Sequence, residues 1–280
     1  MTYLNKKIAV VTSITGEYDC LRRQMPNVPG IDYFCVTDSD IQPVYNWKII
    51  KYKYPDYMNA KFKSFEARYK LLTMFNDYDY VIWQDASIEL DDNFIKIIEQ
   101  FIKNNFDFSV VVYGKDVTYN LHLKMITYTF SKNSNYNMAV ENSQMMKYLN
   151  ERNWSLNNRS TINAALRIFK NNEKCKWFNQ LMYNELSYLN QFYVNDKSKY
   201  GQKWHNFYYD ELVNTYFVTL LQNMFKIYLM PIDIFDSDYC IKYKHNSLTE
   251  KCGDYTYKNI NTLKTINVFF NNNLVNNSLP

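Results

Sequence analysis

The sequence is poor in glycine and histidine and has no long apolar run. It contains 5 glycines and 3 histidines among 280 residues. Nucleotidyltransferases normally hold phosphate in a Gly-rich loop after the first strand, but the corresponding turn here has only Gly16, which disfavours that class. The first apolar run covers residues 8–11, which is too short for a signal sequence or a membrane-spanning helix. We therefore expect a cytoplasmic protein with no transmembrane segment.

Cysteine is also sparse, and its positions are scattered. The five cysteines are Cys20, Cys35, Cys175, Cys240 and Cys252. Their odd number and the lack of a Cys-x-x-Cys pair predict neither a disulfide framework nor a zinc site. A reducing compartment fits this pattern best.

The chain carries no block of like charge. Its 32 basic and 28 acidic residues leave a net charge of +4, without the basic stripe that a nucleic-acid backbone requires. Nucleic acid is therefore not an expected partner. Hydrophobic residues make up 47% and aromatic residues 18% of the chain, so there is ample core material for a folded domain.

Short apolar segments alternate with amphipathic helix patterns in the first half. Strands are predicted at residues 7–13, 31–37, 78–83 and 107–113, and helices at 60–75 and 93–103. This alternation is typical of a mostly parallel, Rossmann-like α/β sheet with helices on both faces. Ligands of such sheets bind beyond the carboxyl ends of the strands.

The second half has a different pattern, which predicts mostly helix. Helices are expected at residues 139–152, 161–169, 175–192 and 209–225, a strand at 226–230, and loops at 196–202 and 236–254. No linker separates the halves, so one domain over residues 1–270 is expected, followed by a disordered tail at 271–280.

One predicted strand delivers a carboxylate, Asp85, at its end. Hard divalent cations bind oxygen ligands, and such an ion neutralises charge on a departing diphosphate. Ser87, two residues further on, offers a weaker oxygen ligand or holds a metal-bound water. The alternative interpretation is that Asp85 only caps the turn after the strand.

Several segments of the first third occur in the order found in a known family. They are residues 8–19, ending in Thr-Gly-Glu-Tyr-Asp, residues 33–38, ending in Thr-Asp, the residue Trp47, and residues 83–87. This part of the chain resembles the GT-A-type glycosyltransferase-like family of plant mucilage-associated Golgi proteins and bacterial polysaccharide loci. Val36 and Gln84 depart from the family pattern. The resemblance places Trp83 at the donor site.

The resemblance also implies donor-binding roles at the ends of the first two strands. Thr12, Ser13, Gly16 and Tyr18 would approach the base and ribose of a nucleotide, and Gly16 lets the backbone come close. Asp38 would accept hydrogen bonds from a ribose hydroxyl or the base. Alternatively, Asp38 belongs to a strand-ending turn.

Cations on one helix are expected near the donor phosphates. The apolar stripe of the helix predicted at 60–75 runs through Phe62, Phe65, Tyr69 and Leu72. Lys63, Arg68 and Lys70 lie on other faces, where a diphosphate would need partners. The alternative for each of them is a solvated helix face.

The second half contributes candidates for catalysis and metal binding. Asp210 and Glu211 resemble a helix start of the family, which implies a base that takes the acceptor proton; alternatively, Asp210 caps its helix. The resemblance also implies that His245, in a C-terminal loop, is the third metal ligand with Asp85 and Ser87. A lone loop histidine is otherwise a surface residue.

We therefore expect a glycosyltransferase that moves a sugar from a UDP- or GDP-sugar to a hydroxyl of a glycan, lipid-linked or protein acceptor, assisted by Mn²⁺ or Mg²⁺. Residues 1–114 would bind the nucleotide, and residues 115–270 would face the acceptor. The alternatives are an inactive glycan- or protein-binding module on the same fold and, third, a nucleotidyltransferase.

Overall fold

The structure is a computed structural model. It describes residues 5–113 except 17, 18, 26, 27, 46, 56, 57 and 59, residues 150, 151 and 153, and residues 162–194 and 209–242. Two predicted site residues, Tyr18 and His245, lie outside the described residues. So do the predicted loop 196–202, the predicted tail 271–280 and most of the predicted helix 139–152.

Ten strands and four α-helices make up the described part of the chain. The strands are β1 (Ile8–Ile14), β2 (Ile31–Thr37), β3 (Lys48–Lys51), β4 (Tyr80–Gln84), β5 (Ile88–Leu90), β6 (Phe108–Val112), β7 (Ile162–Asn163), β8 (Leu166–Lys170), β9 (Ile227–Pro231) and β10 (Cys240–Lys242). The helices are α1 (Ala60–Met74), α2 (Phe94–Lys103), α3 (Glu173–Val194) and α4 (Tyr209–Leu221), with 3₁₀ turns at Gln222–Met224 and Ile232–Phe235.

The central sheet is mixed but mostly parallel. Its strand order is β3-β2-β1-β4-β8-β6-β7, and β9 pairs with the other edge of β6. Strands β1 to β4 are parallel to one another, as are β6 and β9, whereas β8 is antiparallel to both β4 and β6. A separate antiparallel pair joins β5 to β10.

Helices cover both faces of this sheet. Alternate residues of β1 and β4 face α1, α3 and α4 on one side, where Trp83 and Phe178 belong to one core cluster. The intervening residues face α2 on the other side, where Ile82 packs in a second cluster with Phe94 and Ile98. The predicted α/β fold with a mostly parallel sheet is confirmed, and it is consistent with a Rossmann-like fold.

Local pattern predicted the first half well. The strand at 31–37 has the predicted bounds, and the helices at 60–75 and 93–103 differ from the observed ones by one residue at one end. The predicted apolar stripe of α1 is buried at all four positions, which are Phe62, Phe65, Tyr69 and Leu72.

The helix predicted at 161–169 is wrong, because the chain forms β7 and β8 there. Strand β8 is inserted between β4 and β6, so both of its faces are buried and it lacks a polar face. The charged residue Arg167 interrupts the apolar residues of this segment, which is the pattern expected where an amphipathic helix faces solvent. The predicted loop 236–254 likewise contains β10, and its residues beyond 242 lie outside the described range.

One cysteine also differs from expectation. Cys20 is disulfide-bonded, while Cys35, Cys175 and Cys240 are free and buried. The reducing compartment stays a prediction. No helix among the residues the structure covers is long and apolar enough to cross a membrane.

The sheet has a topological switch point between β1 and β4. The chain leaves β1 toward β2 on one side, and β4 lies on the opposite side of β1. Open α/β sheets bind ligands in the crevice at the carboxyl ends of the strands at such a point. Gly16, Asp38 and Asp85 directly follow the ends of β1, β2 and β4 or lie within two residues of them.

Candidate functional site

Asp85 is fixed in place at the carboxyl end of β4. Its backbone N–H donates to the carbonyl of Ala165 at 2.8 Å, and its own carbonyl accepts from the Ile88 N–H at 2.9 Å, which forms the turn into β5. Carboxylate Oδ1 accepts hydrogen bonds from Arg68 Nη2 at 2.7 Å and Trp83 Nε1 at 2.9 Å. These hydrogen bonds fix the position of Asp85. Its side chain is 23% exposed, so part of the carboxylate is accessible at the crevice.

Arg68 joins two carboxylates. Its Nη1 donates to Asp210 Oδ2 at 2.5 Å, while Nη2 binds Asp85. Helix α1 connects the parallel strands β3 and β4, so its direction is opposite to theirs. Side chains of a helix point toward its N-terminus. The Arg68 side chain therefore extends toward the carboxyl edge of the sheet, and its Cζ lies 5.0 Å from the centre of the Trp83 ring.

The environment of Arg68 keeps it charged. Burial alone lowers the pKa of Arg68, but the carboxylates of Asp85 and Asp210 outweigh burial and raise this pKa above its ordinary value. Arg68 therefore stays protonated at any physiological pH.

Asp210 lies in the first turn of α4 and is buried. Its Oδ2 accepts a hydrogen bond from Arg68 of α1. The carboxylate therefore does more than the capping of its own helix that the alternative prediction assigned to it. Asn214, one turn later, donates Nδ2 to the Asp210 carbonyl and to the Tyr69 hydroxyl, the latter at 2.7 Å. These bonds tie the start of α4 to α1.

A second group forms at the ends of β1 and β2. Asp38 accepts the Gly16 N–H at 3.1 Å, the Ser39 hydroxyl at 3.0 Å and Lys63 Nζ at 2.7 Å. Gly16 has φ of 65°, a left-handed conformation that favours glycine. The carboxylate therefore holds the turn after β1 against the end of β2 and brings Lys63 to both.

Asp38 is expected to make stability depend on pH. Burial raises its pKa, but hydrogen bonds from Lys63, the Gly16 N–H and Ser39 together lower it below the ordinary 3.8. Its contribution is thus complete above the unfolded-state pKa and is lost as pH falls through the lower folded-state pKa. In urea unfolding from pH 6 to pH 2.5, Asp38→Asn should flatten the acid side of the stability curve.

The matched control is Asp40→Asn, because Asp40 pairs with Lys51 but its side chain is 99% exposed. Exposed pairs contribute little, so this variant should follow the wild-type curve closely. An unchanged acid dependence in Asp38→Asn would contradict the assigned role of the Asp38 hydrogen bonds.

Two further predicted residues lie on β1. Ser13 is buried on the α1 face beside the Tyr54 hydroxyl, and Lys63 Nζ lies 5.7 Å from the centre of the Tyr54 ring. Thr12 is buried and, by strand alternation, faces the opposite side of the sheet. Ser13, Gly16, Asp38 and Lys63 are thus brought together.

Other predicted residues have different surroundings. Lys70 pairs with Glu66 at 2.7 Å and lies over the ring of Tyr183, away from Asp85. Glu211 is buried and accepts Asn163 Nδ2 at 3.0 Å, which anchors α4 to β7. Ser87 is completely buried. Trp83 is also completely buried, and its indole contacts both residues: Nε1 donates to Asp85, and the ring packs against the Arg68 guanidinium.

The sequence analysis missed Arg167. This residue lies on β8 directly opposite Trp83 of β4 and is completely buried. All three of its guanidinium nitrogens lack a hydrogen-bond partner in the part of the chain that the structure describes. The only signal in the sequence is a charged residue inside the apolar run Leu166–Lys170.

The described residues do not assemble a metal site around Asp85. No three His, Cys, Asp or Glu side chains in the described ranges are grouped so as to hold a metal ion. Among these residues none donates to Asp85 Oδ2, but Arg68 binds Oδ1 and Arg167 carries a second positive charge close by. Like charge disfavours a divalent cation there. The metal therefore stays a prediction.

The sequence matches no protein-family model, and no curated protein is significantly similar to it. The fold class accordingly comes from the structure, as an α/β protein with a mixed, mostly parallel sheet. Function has to be argued from the site, because one fold of this class supports many activities.

Proposed function

We propose that the protein is a GT-A-type glycosyltransferase that moves a sugar from a UDP- or GDP-sugar to a hydroxyl of a glycan, lipid-linked or protein acceptor. One observation carries the proposal: residues from distant parts of the chain converge at the carboxyl edge of the sheet, at its switch point. They form the group Gly16, Asp38 and Lys63 and the group Arg68, Asp85 and Asp210.

The first group suits a nucleotide. Asp38 is ionised at neutral pH because its pKa is lowered, so its carboxylate accepts hydrogen bonds from a ribose hydroxyl. Lys63 bonds that same carboxylate and supplies a positive charge at the crevice. The backbone at Gly16 has no Cβ to hold a ligand away.

The second group suits a departing diphosphate. In the transfer, the bond from the anomeric carbon to the diphosphate breaks as the acceptor oxygen bonds to that carbon, so negative charge grows on the leaving group. A cation already held in position stabilises such charge without reorganising. Arg68 is held by Asp85, by Asp210 and by the face of Trp83.

Asp210 supplies the base in this proposal. Its Oδ2 binds Arg68, and its other carboxylate oxygen takes the proton from the acceptor hydroxyl as that hydroxyl attacks. Glu211 is the second candidate, but its Oε1 already accepts from Asn163 and Tyr113. We therefore assign Glu211 to holding α4 in place.

A binding module without activity is the second candidate function. Ser87 offers only a hydroxyl as the second oxygen ligand after Asp85, and Oδ1 of Asp85 already accepts hydrogen bonds from Arg68 and Trp83. A module of this kind would bind nucleotide sugar or glycan and leave the donor intact.

Donor hydrolysis and nucleotide binding separate these functions. The full chain is incubated with a panel of UDP- and GDP-sugars in Mn²⁺, Mg²⁺ or EDTA, and released nucleoside diphosphate is measured beside the thermal shift. Release from at least one donor, with a rise in melting temperature on adding the matching diphosphate, is the expected result. Binding without release would favour the inactive module, and neither binding nor release would overturn the proposal.

A shift that is larger in Mn²⁺ than in EDTA would support the predicted metal, because an ion bridging Asp85 and the diphosphate couples the two ligands. An equal shift in EDTA would remove the metal from the binding step.

A further inference from the structure

Arg167 is a buried cation without a hydrogen-bond partner among the described residues. It lies on β8 between β4 and β6, it is 0% exposed, and Nε, Nη1 and Nη2 make no hydrogen bond within that part of the chain. Arginine stays protonated in proteins and carries five N–H donors. A buried donor without an acceptor is destabilising, and a charged one more so. Such a residue requires a reason beyond the stability of the fold.

The charged and titratable groups around Arg167 come from three elements. They are Arg68 and Tyr69 of α1, Asp85 after β4, and Asp210 of α4. Burial is the main cause that lowers the pKa of Arg167, and Arg68 lowers it further, while Tyr69, Asp210 and Asp85 oppose that change.

The two arginines differ in one respect. Arg68 donates hydrogen bonds to both carboxylates, whereas Arg167 donates none to the described residues. The group therefore holds two guanidinium ions, and its carboxylates bond only one of them. The donors of Arg167 suit an oxyanion.

Arg167 is also close to the crevice. Gln84 and Leu166 are the paired residues at the carboxyl end of β4, and Arg167 pairs with Trp83 one position further in. It shares a face with Trp83 and Arg68. Both guanidinium ions lie near Asp85, whose side chain is 23% exposed.

We infer that Arg167 and Arg68 form a phosphate-binding site, and that Arg167 is the principal ligand of the diphosphate of the nucleotide. The inference rests on the proposed function and goes beyond it by assigning the leaving diphosphate to a pair of buried arginines. Guanidinium suits this task because its planar donors bind two phosphate oxygens at once.

The test compares Arg167→Met and Arg167→Lys with the wild-type full chain. Affinity for inorganic pyrophosphate and for UDP and GDP is measured by calorimetry, and the melting temperature is measured without ligand. Arg167→Met should weaken pyrophosphate and nucleotide binding by about 10- to 100-fold, the effect of removing a charged hydrogen-bonding partner. Its melting temperature should be no lower than that of the wild type, because an apolar side chain replaces an unpaired buried charge.

Arg23→Gln is the matched control, because Arg23 is 52% exposed and pairs with Glu89 of β5 rather than with the carboxylates that bind Arg68. Its affinities should stay within twofold of wild type. Arg167→Lys keeps the charge but loses the two-pronged geometry, so about 3- to 10-fold weaker binding is expected.

Each outcome decides a different claim. A lower melting temperature with unchanged pyrophosphate affinity in Arg167→Met would show a packing role and overturn the inference. If Arg167→Met does not fold, wild-type affinity in Arg167→Lys overturns it instead. Nucleotide binding that is independent of Arg167 would leave the proposed function standing and remove the phosphate site. Arg167-dependent pyrophosphate binding without donor hydrolysis or nucleotide binding would support the phosphate site and overturn the proposed function.

Discussion

Replacing Asp85 with Asn is expected to reduce donor hydrolysis and sugar transfer by about 10²- to 10⁴-fold. The amide oxygen still accepts from Arg68 and Trp83, so the shape of the site is largely kept. The negative charge that holds Arg68 against the leaving group is lost, and removal of one preorganised electrostatic partner commonly has an effect of this size. The free energy of unfolding should fall by about 1–3 kcal/mol, because a buried cation loses one of its ionic partners.

Rates are measured well below the melting temperature of each variant, so that loss of activity does not reflect unfolding. Asp91→Asn is the matched control, because Asp91 accepts the Asn93 N–H at the start of α2, away from the crevice. It should keep activity within twofold. A near wild-type rate in folded Asp85→Asn would support the simple turn cap and would weaken the glycosyltransferase proposal.

Replacing Arg68 with Met should have the largest effect on stability. The variant leaves Asp85 and Asp210 without their bridging cation, and breaking a buried pair by removing one partner destabilises by about 3–5 kcal/mol. For a chain of this size, that corresponds to a drop in melting temperature of about 6–15 °C. Urea unfolding measures the free energy, and the midpoint should fall with little change in slope.

Lys70→Met gives the comparison on the same helix. Lys70 is partly exposed and pairs with Glu66, whose carboxylate is buried but also accepts the Tyr52 hydroxyl. Its removal should therefore destabilise by about 1–3 kcal/mol, less than the loss of Arg68, which serves two carboxylates. Equal stability losses in the two variants would mean that the Arg68 bridge has no special role in the fold.

Part of the candidate site was predictable from the sequence. Asp38 and Asp85 follow apolar strands, and carboxyl ends of neighbouring parallel strands meet at one edge of a sheet. Lys63 and Arg68 were predicted on the helix before β4, and both reach that edge. Lys70 was placed there by the same argument, but helical geometry turns it toward Glu66 and Tyr183.

Other features depended on contacts between distant segments. Arg68 and Asp210 are 142 residues apart in sequence, and no local pattern relates them. Strand β8 was predicted as helix because a strand buried on both faces shows no alternation of polar and apolar residues. Arg167 went unnoticed for the same reason, since its position in the sheet is what buries it.

The sequence by itself determined the α/β class, the strands and helices of the first half, and the carboxylates that follow those strands, because these depend on periodicity and on residues adjacent in the chain. Only the tertiary structure decided that β8 enters the sheet between β4 and β6, that Arg68 bridges Asp85 and Asp210, and that Arg167 lies buried beside them with no hydrogen bond to any described residue. Strand pairing and ion pairing act between residues far apart in the chain, and their geometry exists only after the sheet and helices have packed.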